Sequence, residues 1–527
     1  MKHAAKRTAP GRWKEIVLMI ACAVIGGVVS LLLGRDVSTD PFSFTLYPAH
    51  ALWAGRFAPD VFAAGTGPAL NPLLFLPYYL TFVKLNAWPQ VSLFLNGLSY
   101  GFFLFFVWKI CSRAFEKQGR LLSVTLSALA VTGAGALANV GAGNGALWLA
   151  GLEVCACWLF FYGETPRARQ GAFFTASFAV GLSVSALPVL AGLVVAAVFG
   201  RRARAKTSRL GCTCWAACGF VLSLSVGLWY AWRTGALDTF GTFFWPRGWA
   251  FNLPAWAVKW ELPSGVWEWV LLPVWRLRYA LPGFLTDPRL ACGLLSSVIL
   301  LGKRGFGEAD ARETVWSVFF LGAYAVWLVC LRDASGAVLL EFAGVLLLGR
   351  CLMWLLGARA AAAGAAVLLW VVFPPVMPPE RQGVEELNFA FFKEPVLAEN
   401  SLVLLSGHVS GWAAFLPQDA RYAGGVWFDP QDYDPSQEFF LHRLNPLPPG
   451  YYSHRRDGAV RAAVRAHDGP VYALLPKDDL AVQPAVWARY GVKLADSASS
   501  CQPLYPAASV GAKEFLLCRA EKLPEEK

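Results

Sequence analysis

Charged residues are scarce in this sequence, and acidic residues are the less frequent kind. Only 15% of the 527 residues are charged, 35 of them acidic and 46 basic, whereas 56% are hydrophobic. Soluble multidomain enzymes carry more charge and less apolar surface, so that class is excluded. The composition predicts an integral membrane protein.

Short motifs of several enzyme classes are also missing. The chain has no P-loop, no G-x-G-x-x-G and no H-E-x-x-H on a suitable strand or helix. Apart from Cys501 and Cys518, the cysteines lie in or beside apolar segments, where Cys behaves as a small hydrophobe, and no zinc site is predicted. Four histidines in the C-terminal part follow no Ser/His/Asp order and are interpreted as solvated or structural. They are His408, His442, His454 and His467.

Long apolar segments recur from Ile16 to about Phe373. A bilayer core about 30 Å thick requires roughly 20 helical residues, and about eleven segments are predicted to cross it. They are 16–33, 90–110, 121–138, 146–162, 171–185, 187–200, 211–231, 289–302, 314–331, 336–356 and 360–377. The pair 171–185 and 187–200 is short enough to form one tilted helix instead. The predicted fold is an all-α polytopic membrane domain, residues 1–377, followed by a soluble α/β domain, residues 378–527.

Basic clusters set the predicted orientation, because cytoplasmic loops carry an excess of Lys and Arg. Five basic residues precede the first apolar segment and place the N-terminus in the cytoplasm. The later basic clusters become cytoplasmic as well if the proline-containing run 71–85 lies on the outer surface without crossing. An odd number of crossings then places the C-terminal domain outside. The outer face would carry a first loop (34–89), a second loop (232–288) and the tail (378–527).

The formal net charge of +11 does not indicate nucleic-acid binding, because the basic residues occur in short clusters between apolar segments. The second outer loop is rich in tryptophan, which is typical of a belt at the level of the lipid headgroups. Its arginines suit a lipid-linked phosphate, because a guanidinium group matches the phosphate oxygens and stays charged. The candidates for such a contact are Arg247, Arg276 and Arg278.

Alternating short apolar runs and polar turns predict an α/β fold for the tail. The runs SLVLLSG (401–407), GGVWF (424–428) and VYALLP (471–476) are typical of strands, and GAVRAAVRAH (458–467) is typical of an amphipathic helix. Cys501 and Cys518 stand alone in this region, separated by a loop and the strand-like KEFLLCRA. In an oxidising compartment we expect them to form a disulfide, because the loop between them is short enough to close easily.

The first outer loop combines acids, an Asn-Pro pair and aromatics. Its segment GRDVSTDPFSFTLYPAHALWAGRFAPDVFAAGTGPALNPLLFLPYY (34–79) resembles the first loop of polyprenyl-phosphate-sugar-dependent glycosyltransferases of the GT-C class. The resemblance is greater to an uncharacterised bacterial, dolichyl-phosphate-mannose-mannosyltransferase-like branch, with the pattern G-x-D-x-x-x-D-x-x-N-Y-H-x-Y, D-x-x-x-A-G and F-N-P-L-L-D-L-P-Y-Y. The matching residues are Asp36, Asp40, Tyr47, Asp60, Gly65, Asn71, Pro72, Pro77, Tyr78 and Tyr79.

The match is not complete. Ser43-Phe44-Thr45 replace the Asn-Tyr-His of the branch, and Phe75 replaces the Asp of L-D-L-P. A weaker similarity lies in LRDASGAVLLEFAG, where Arg332 and Glu341 correspond to an Arg-Tyr…Pro-Leu-Glu element at the start of a late helix. The tail cysteines are similar to a cysteine pair in the same branch.

The resemblance implies a membrane glycosyltransferase, a hexosyl- or pentosyltransferase, in the bacterial inner (cytoplasmic) membrane with a periplasmic tail. Its partners would be a polyprenyl-phosphate sugar donor, membrane lipid and an envelope glycan or lipid acceptor. Asp40 would be the catalytic base, with Asp60 as a second catalytic candidate. Tyr47, Asn71, Arg332 and Glu341 would contact substrate. No cofactor is assigned, and a requirement for a divalent metal is left open.

Structural roles remain open for the same residues. Asp40 and Asp60 are also suited to capping a helix N-terminus, Asn71 to a turn before the next helix, and Arg332 to a surface pair with Asp333. A catalytically inactive scaffold or a transporter presenting the C-terminal domain is the alternative function. Transporters usually carry charges or broken helices at the bilayer midplane, and Glu153 is the only acid deep in a predicted crossing.

Overall fold

The computed structural model describes residues 12–36, 45–57, 60–61, 71–85, 87–199, 209–235, 237, 289–305, 311–328, 334–368, 381–382, 397–405, 410–424, 454–476, 487–488, 490–494, 501–503 and 515–524. Helices dominate the part before residue 369. They are α1 (Arg12–Leu33), α2 (Leu46–Ala54), α3 (Pro72–Phe82), α4 (Pro89–Asn96), α5 (Leu98–Ala114), α6 (Arg120–Val131), α7 (Ala134–Ala138), α8 (Ala146–Tyr162), α9 (Pro166–Leu182), α10 (Leu187–Phe199), α11 (Arg209–Arg233), α12 (Arg289–Gly305), α13 (Ala311–Val326) and α14 (Ala334–Val367).

Four helical stretches among the described residues are long and apolar enough to cross a membrane. They are Trp13–Leu33, Pro89–Ala114, Leu210–Arg233 and Ala337–Val367. On α1, the apolar side chains of Ile16, Ile20 and Leu32 are 52%, 55% and 80% exposed, a surface that suits lipid better than water. The prediction of an integral membrane protein is confirmed, while the total of eleven crossings stays a prediction.

Several helices are interrupted, both in a segment predicted to be continuous and in a pair of segments that could have formed one helix. The run 171–200 forms two helices, α9 and α10, which are separated by a 3-10 turn at Val184–Ala186. The predicted crossing 121–138 is interrupted between α6 and α7. Helix α14 contains a break at Gly357, whose φ is 77°, between the predicted segments 336–356 and 360–377.

Close helix contacts depend on glycine in the N-terminal part. A Cβ atom on Gly26 of α1 would lie 2.3 Å from the carbonyl oxygen of Gly97, and one on Gly101 would lie 2.6 Å from the backbone of α1. Small residues let membrane helices approach closely where water supplies no driving force. Farther along, Phe161 of α8 stacks on Trp316 of α13 with ring centroids 3.7 Å apart. The largest apolar cluster among the described residues extends from α5 to α14.

The tail forms a six-stranded mixed sheet with strand order β4-β3-β5-β8-β6, in which β7 also pairs with β8. Its strands are β3 (Leu402–Leu405), β4 (Arg421–Gly424), β5 (Val471–Pro476), β6 (Val492–Leu494), β7 (Cys501–Pro503) and β8 (Phe515–Lys522), and helix α15 spans His454–Ala466. Strand β3 is parallel to β4 and β5, whereas β8 is antiparallel to its neighbours. The strands expected in 401–407 and 471–476 and the helix expected in 458–467 are present. Strand β4 overlaps the strand expected in 424–428 only at Gly424, and residues 425–428 lie outside the described residues.

Side chains alternate across the tail sheet and bury both of its faces. Leu402 and Leu404 of β3 pack in one cluster with Val460 and Val464 of α15. Val403 and Leu405 point the other way, as neighbours along a strand do, into a cluster that also contains residues of α2 and α3. The tail therefore packs directly against the first loop.

Two further contacts tie the chain together. The pair β1 (Arg35–Asp36) and β2 (Arg381–Gln382) is antiparallel, so the segment after α1 lies beside the start of the tail. Cys501 of β7 and Cys518 of β8 face each other and form a disulfide, the pairing expected from the sequence. The division of the chain into domains at 377 and 378 remains a prediction.

Candidate functional site

A buried ion pair lies between the end of α2 and the tail sheet. Arg56 Nη2 and Nε donate to the two carboxylate oxygens of Asp60 at 2.7 and 2.8 Å, and the two side chains are 7% and 2% exposed. The hydroxyl of Tyr47 donates to Asp60 Oδ2 at 2.7 Å, and the backbone N–H of Tyr422 donates to Oδ1 at 3.1 Å. Each carboxylate oxygen thus accepts two hydrogen bonds. The carboxylate of Asp60 is therefore buried and engaged by protein groups.

The guanidinium group of Arg56 also reaches the tail. Its Nη1 donates to the carbonyl of Gln418 at 2.5 Å, and its Nη2 donates to the carbonyl of Ala420 at 2.6 Å. The guanidinium carbon lies 5.0 Å from the centroid of the Tyr422 ring. Arg56 therefore joins α2, Asp60 and the segment that leads into β4.

His50 is buried beside this ion pair, with 1% of its surface exposed. Its Nδ1 lies 3.1 Å from the hydroxyl oxygen of Tyr79, and the tautomer decides which group donates. Among the described residues, Nε2 of His50 has no hydrogen-bond partner. Burial first, and then the charges of Arg56 and Lys84, lower the pKa of His50 to about 3. The imidazole is consequently neutral at physiological pH.

Sequence reasoning missed His50. A signal was available, because His50 is the only histidine between residues 4 and 407. A lone histidine in an otherwise apolar region has to be buried neutral or paired, and either case sets it apart.

Asn71 fixes the start of α3. Its side-chain oxygen accepts the N–H of Leu73 at 3.2 Å, which is the N-cap geometry. Its Nδ2 donates to the carbonyls of Gly181 and Ser223 at 3.0 and 2.7 Å. These bonds use both ends of the amide, and the residue is 1% exposed, so Asn71 holds α3 against α9 and α11.

A cavity of about 230 Å³ opens between α3, the α4–α5 pair and the start of α8. Most of its wall is apolar, formed by residues that include Pro77, Tyr78, Leu80, Leu95, Leu147 and Trp148. Thr81, Asn96, Ser99 and Asn139 add hydroxyl and amide groups. The hydroxyl of Thr81 donates to the side-chain oxygen of Asn96. The cavity thus suits a ligand that is mainly apolar and carries a polar group.

Irregular backbone forms one wall of the cavity, between the end of α6 and the start of α8. Asn139 Nδ2 donates to the carbonyl of Gly135 at 2.7 Å, and Asn144 Nδ2 donates to Asn139 Oδ1 at 2.5 Å. The side chain of Asn144 also accepts the N–H of Ala146, where α8 begins. At membrane depth, non-helical backbone is tolerated where it is buried in protein or lines a cavity. Asn139 and Asn144 thus provide hydrogen-bond partners for backbone groups at this interruption.

Two buried charged residues form hydrogen bonds at the interruption between α6 and α7. Glu341 of α14 is 3% exposed, and its Oε1 accepts the N–H of Gly135 at 3.0 Å. Arg289 of α12 is 2% exposed; its Nε donates to the carbonyl of Leu129 at 2.7 Å and its Nη2 to the hydroxyl of Thr132 at 3.1 Å. Arg289 was not among the sequence candidates, although a basic residue at the start of an apolar segment was a visible signal. Buried ionisable groups of this kind are costly and tend to mark functional regions.

Four of the predicted site residues are among the described residues. Tyr47 and Asp60 are in direct contact, whereas Asn71 and Glu341 make the separate contacts described above. The others, Asp40, Arg247, Arg276, Arg278 and Arg332, lie outside the described residues. In the part of the chain that the structure describes, no group of three or more His, Cys, Asp or Glu side chains is arranged to hold a metal ion.

The described residues define a helical integral membrane protein whose tail sheet packs on its first loop. No protein-family model and no curated protein matches the chain. Two crystal structures of ArnT from Cupriavidus metallidurans, one in the apo state and one bound to undecaprenyl phosphate, are similar to it over 96% of this chain and 98% of theirs. Both have 14% sequence identity and a TM-score of 0.40. A likeness at this identity and TM-score does not establish a function for this chain.

Proposed function

We propose that this protein is a membrane glycosyltransferase that moves a sugar from a polyprenyl-phosphate donor to an envelope glycan or lipid on the outer face of the cytoplasmic membrane. The observation that carries the proposal is the segment 34–79, whose acids, Asn-Pro pair and tyrosines resemble the first loop of GT-C glycosyltransferases. The described helices of this segment, α2 and α3, support it, because both pack against the tail sheet and α3 also lines the cavity.

The composition of the cavity also supports a lipid-linked donor. Its apolar wall suits a prenyl chain, and the hydroxyl and amide groups of Thr81, Asn96 and Asn139 suit the polar end of such a lipid. At about 230 Å³ the cavity holds part of the donor and not the whole of it. The remaining surface would come from the outer loops.

In the proposed reaction, Asp40 accepts a proton from the acceptor hydroxyl as that oxygen attacks C1 of the donor sugar. The bond from C1 to the phosphate oxygen breaks, and the lipid phosphate leaves with the electron pair. Arg332 and one or more of Arg247, Arg276 and Arg278 would stabilise the phosphate charge. The protonated Asp40 then returns its proton to solvent.

Four candidates from the sequence receive structural roles in this proposal. Tyr47, Asp60 and Asn71 have their hydrogen-bonding groups engaged by protein partners, so we assign them to holding the first loop in place. Glu341 is assigned to the break between α6 and α7, which adjoins the cavity at Asn139.

The test is a lipid-resolved assay of the purified chain with a panel of polyprenyl-phosphate sugars, scored for donor binding and donor consumption. Asp40→Asn should lower the rate by about two to four powers of ten while the protein still folds, because a positioned base is lost. Arg332→Gln should weaken donor binding. Glu116→Gln, an exposed residue paired with Arg113, is the matched control and should behave as wild type. The proposal fails if no donor binds the wild-type chain or if Asp40→Asn retains the full rate.

A catalytically inactive scaffold is the second candidate. It is favoured by Phe75, which stands where the related pattern has an Asp and is 3% exposed within the apolar cluster of α2, α3 and the tail. Phe75 therefore takes part in apolar packing and supplies no polar group at this position. The same assay separates the candidates, because a scaffold would consume none of the donors.

A further inference from the structure

The first loop occupies the edge of the tail sheet. Strand β4 is at the end of the strand order, and Val61 pairs with Ala423 in parallel. The N–H of Val61 donates to the carbonyl of Tyr422 at 2.8 Å, and the N–H of Gly424 donates to the carbonyl of Val61 at 2.9 Å. An edge strand otherwise presents unpaired backbone groups to other chains. Here two of these groups are satisfied from within the chain.

The ion pair extends this edge contact. Asp60 accepts the N–H of Tyr422, while Arg56 donates to the carbonyls of Gln418 and Ala420. The carboxylate and the guanidinium therefore bind each other and three backbone groups of the tail. A buried ion pair requires such additional hydrogen bonds to offset its desolvation, and losing one partner leaves an uncompensated charge. The arrangement thus permits few alternative positions of the loop.

Apolar packing continues the same contact across the sheet face. Val403, Leu405 and Tyr422 lie in one buried cluster with Leu46 and Tyr47 of α2. Neither the edge of β4 at Tyr422–Gly424 nor this face of β3 is free for a partner. This contact disfavours a scaffold that would present the tail through this surface.

We propose that Arg56 and Asp60 are positioning residues, which lock the first loop onto strand β4 and thereby fix helix α2, the element that follows Asp40 in the chain. The tail is then a working part of the transferase site. The catalytic consequence rests on the proposed function, whereas the docking of the loop does not.

Hydrogen exchange of the backbone amides tests the docking without reference to activity. In Asp60→Asn, the amides of Tyr422 and Gly424 should exchange at least about tenfold faster. The amide of Tyr422 loses its charged acceptor, and the amide of Gly424 loses part of the support for its bond to Val61. The amide of Arg421 is an internal control, since it donates to the carbonyl of Ser401 on the other side of the strand, at 2.9 Å. Arg113→Gln, which breaks an exposed ion pair, should leave all three amides unchanged.

Arg56→Lys is the second variant, in case Asp60→Asn does not fold. It keeps the positive charge, but one ammonium group cannot reproduce the fork that binds Asp60 and both carbonyls. We expect an intermediate increase in the exchange of the same two amides. Wild-type exchange at Tyr422 and Gly424 in the folded variants would overturn the docking.

A designed cross-link tests the positioning role. Asp60→Asn should lower kcat at least about tenfold with a smaller change in KM for the donor, because the base and not the donor site is misplaced. Oxidation of the added pair Val61→Cys and Ala423→Cys in the Asp60→Asn background should restore most of the lost kcat. Two results would overturn the positioning role. One is an Asp60→Asn variant that transfers sugar at the wild-type rate although the amides of Tyr422 and Gly424 have lost their protection. The other is a cross-linked protein that recovers none of the lost kcat. If the wild-type chain transfers no sugar, the proposed function fails, and the exchange data still decide whether the loop is docked.

Discussion

Nδ1 of His50 lies 3.1 Å from the hydroxyl oxygen of Tyr79, and this contact joins α2 to α3 beneath the tail sheet. The helix that carries His50, α2, is not among the apolar helices suited to a membrane interior. Burial and the nearby cations Arg56 and Lys84 lower the pKa of His50 to about 3. Protonation of His50 would add a positive charge close to those of Arg56 and Lys84. The imidazole therefore contributes to folding only in its neutral form.

The first prediction follows from this pKa. The unfolded chain takes up a proton at His50 near pH 6.5, whereas the folded chain does so only near pH 3, so the free energy of unfolding should fall as the pH drops through that interval. At pH 5 the loss should be about 2 kcal/mol. His50→Asn can still bond Tyr79 but does not titrate, so its stability should fall less between pH 7 and pH 5. Thermal unfolding in detergent measures the difference, and equal pH slopes for the two proteins would contradict the assignment.

The second prediction concerns Glu341, whose Oε1 accepts the amide of Gly135. Glu341→Gln keeps an oxygen for this bond, so its free energy of unfolding should stay within about 1 kcal/mol of wild type. Glu341→Ala should cost about 2 kcal/mol or more, because a buried amide loses its acceptor. Donor binding distinguishes a structural role from direct contact. If Glu341→Gln is fully stable yet binds no donor, the carboxylate contacts the donor itself.

How far the sequence predicts this structure depends on where the partners of each residue lie. Helix α8 has its predicted limits, because a uniformly apolar segment is bounded by Gly145 and Gly163. The break between α6 and α7 was not predicted, since the run 121–138 contains no charged residue and no proline. The groups that satisfy the break come from Arg289 and Glu341, 160 and 206 residues away from their partners. Local composition carries no trace of such contacts.

The candidate site shows the same limit. The resemblance selected Asp60 as a catalytic candidate, and its ion-pair partner Arg56 is only four positions away. The role of the pair became visible only through Tyr422, which is 362 residues from Asp60. A sequence indicates which polar residues are unusual in an apolar chain, but the fold determines whether they face a ligand or each other.

The third prediction concerns Asn71. Asn71→Ala removes an N-cap and the donor to two buried carbonyls, and should lower the free energy of unfolding by about 2–4 kcal/mol. Asn71→Asp keeps the cap acceptor but places a carboxylate against the carbonyls, so it should be at least as unstable. Thr165→Ala removes only the exposed cap of α9 and should cost about 1 kcal/mol. An Asn71→Asp variant as stable as wild type would show that the cap alone matters.

The fourth prediction concerns Gly145, which connects the irregular wall of the cavity to α8. Its φ is 71°, and a Cβ atom there would lie 2.5 Å from Cγ and 3.1 Å from the carbonyl oxygen of Leu74 on α3. Gly145→Ala therefore adds a steric clash to the strain of a left-handed backbone, whereas Gly55→Ala adds the strain alone, since Gly55 has φ 68° and no atom within 4 Å. We expect about 1–2 kcal/mol of destabilisation for Gly55→Ala and about 1–3 kcal/mol more for Gly145→Ala.

The same pair of variants tests whether the cavity takes part in donor binding. The clash in Gly145→Ala pushes on α3, which supplies Pro77, Tyr78 and Thr81 to the cavity wall. Binding of the polyprenyl-phosphate probe should weaken in Gly145→Ala and stay near wild type in Gly55→Ala, measured at a temperature where both variants are folded. Equal affinities would separate the cavity from the donor site, because Gly145, unlike Gly55, lines the cavity and contacts α3.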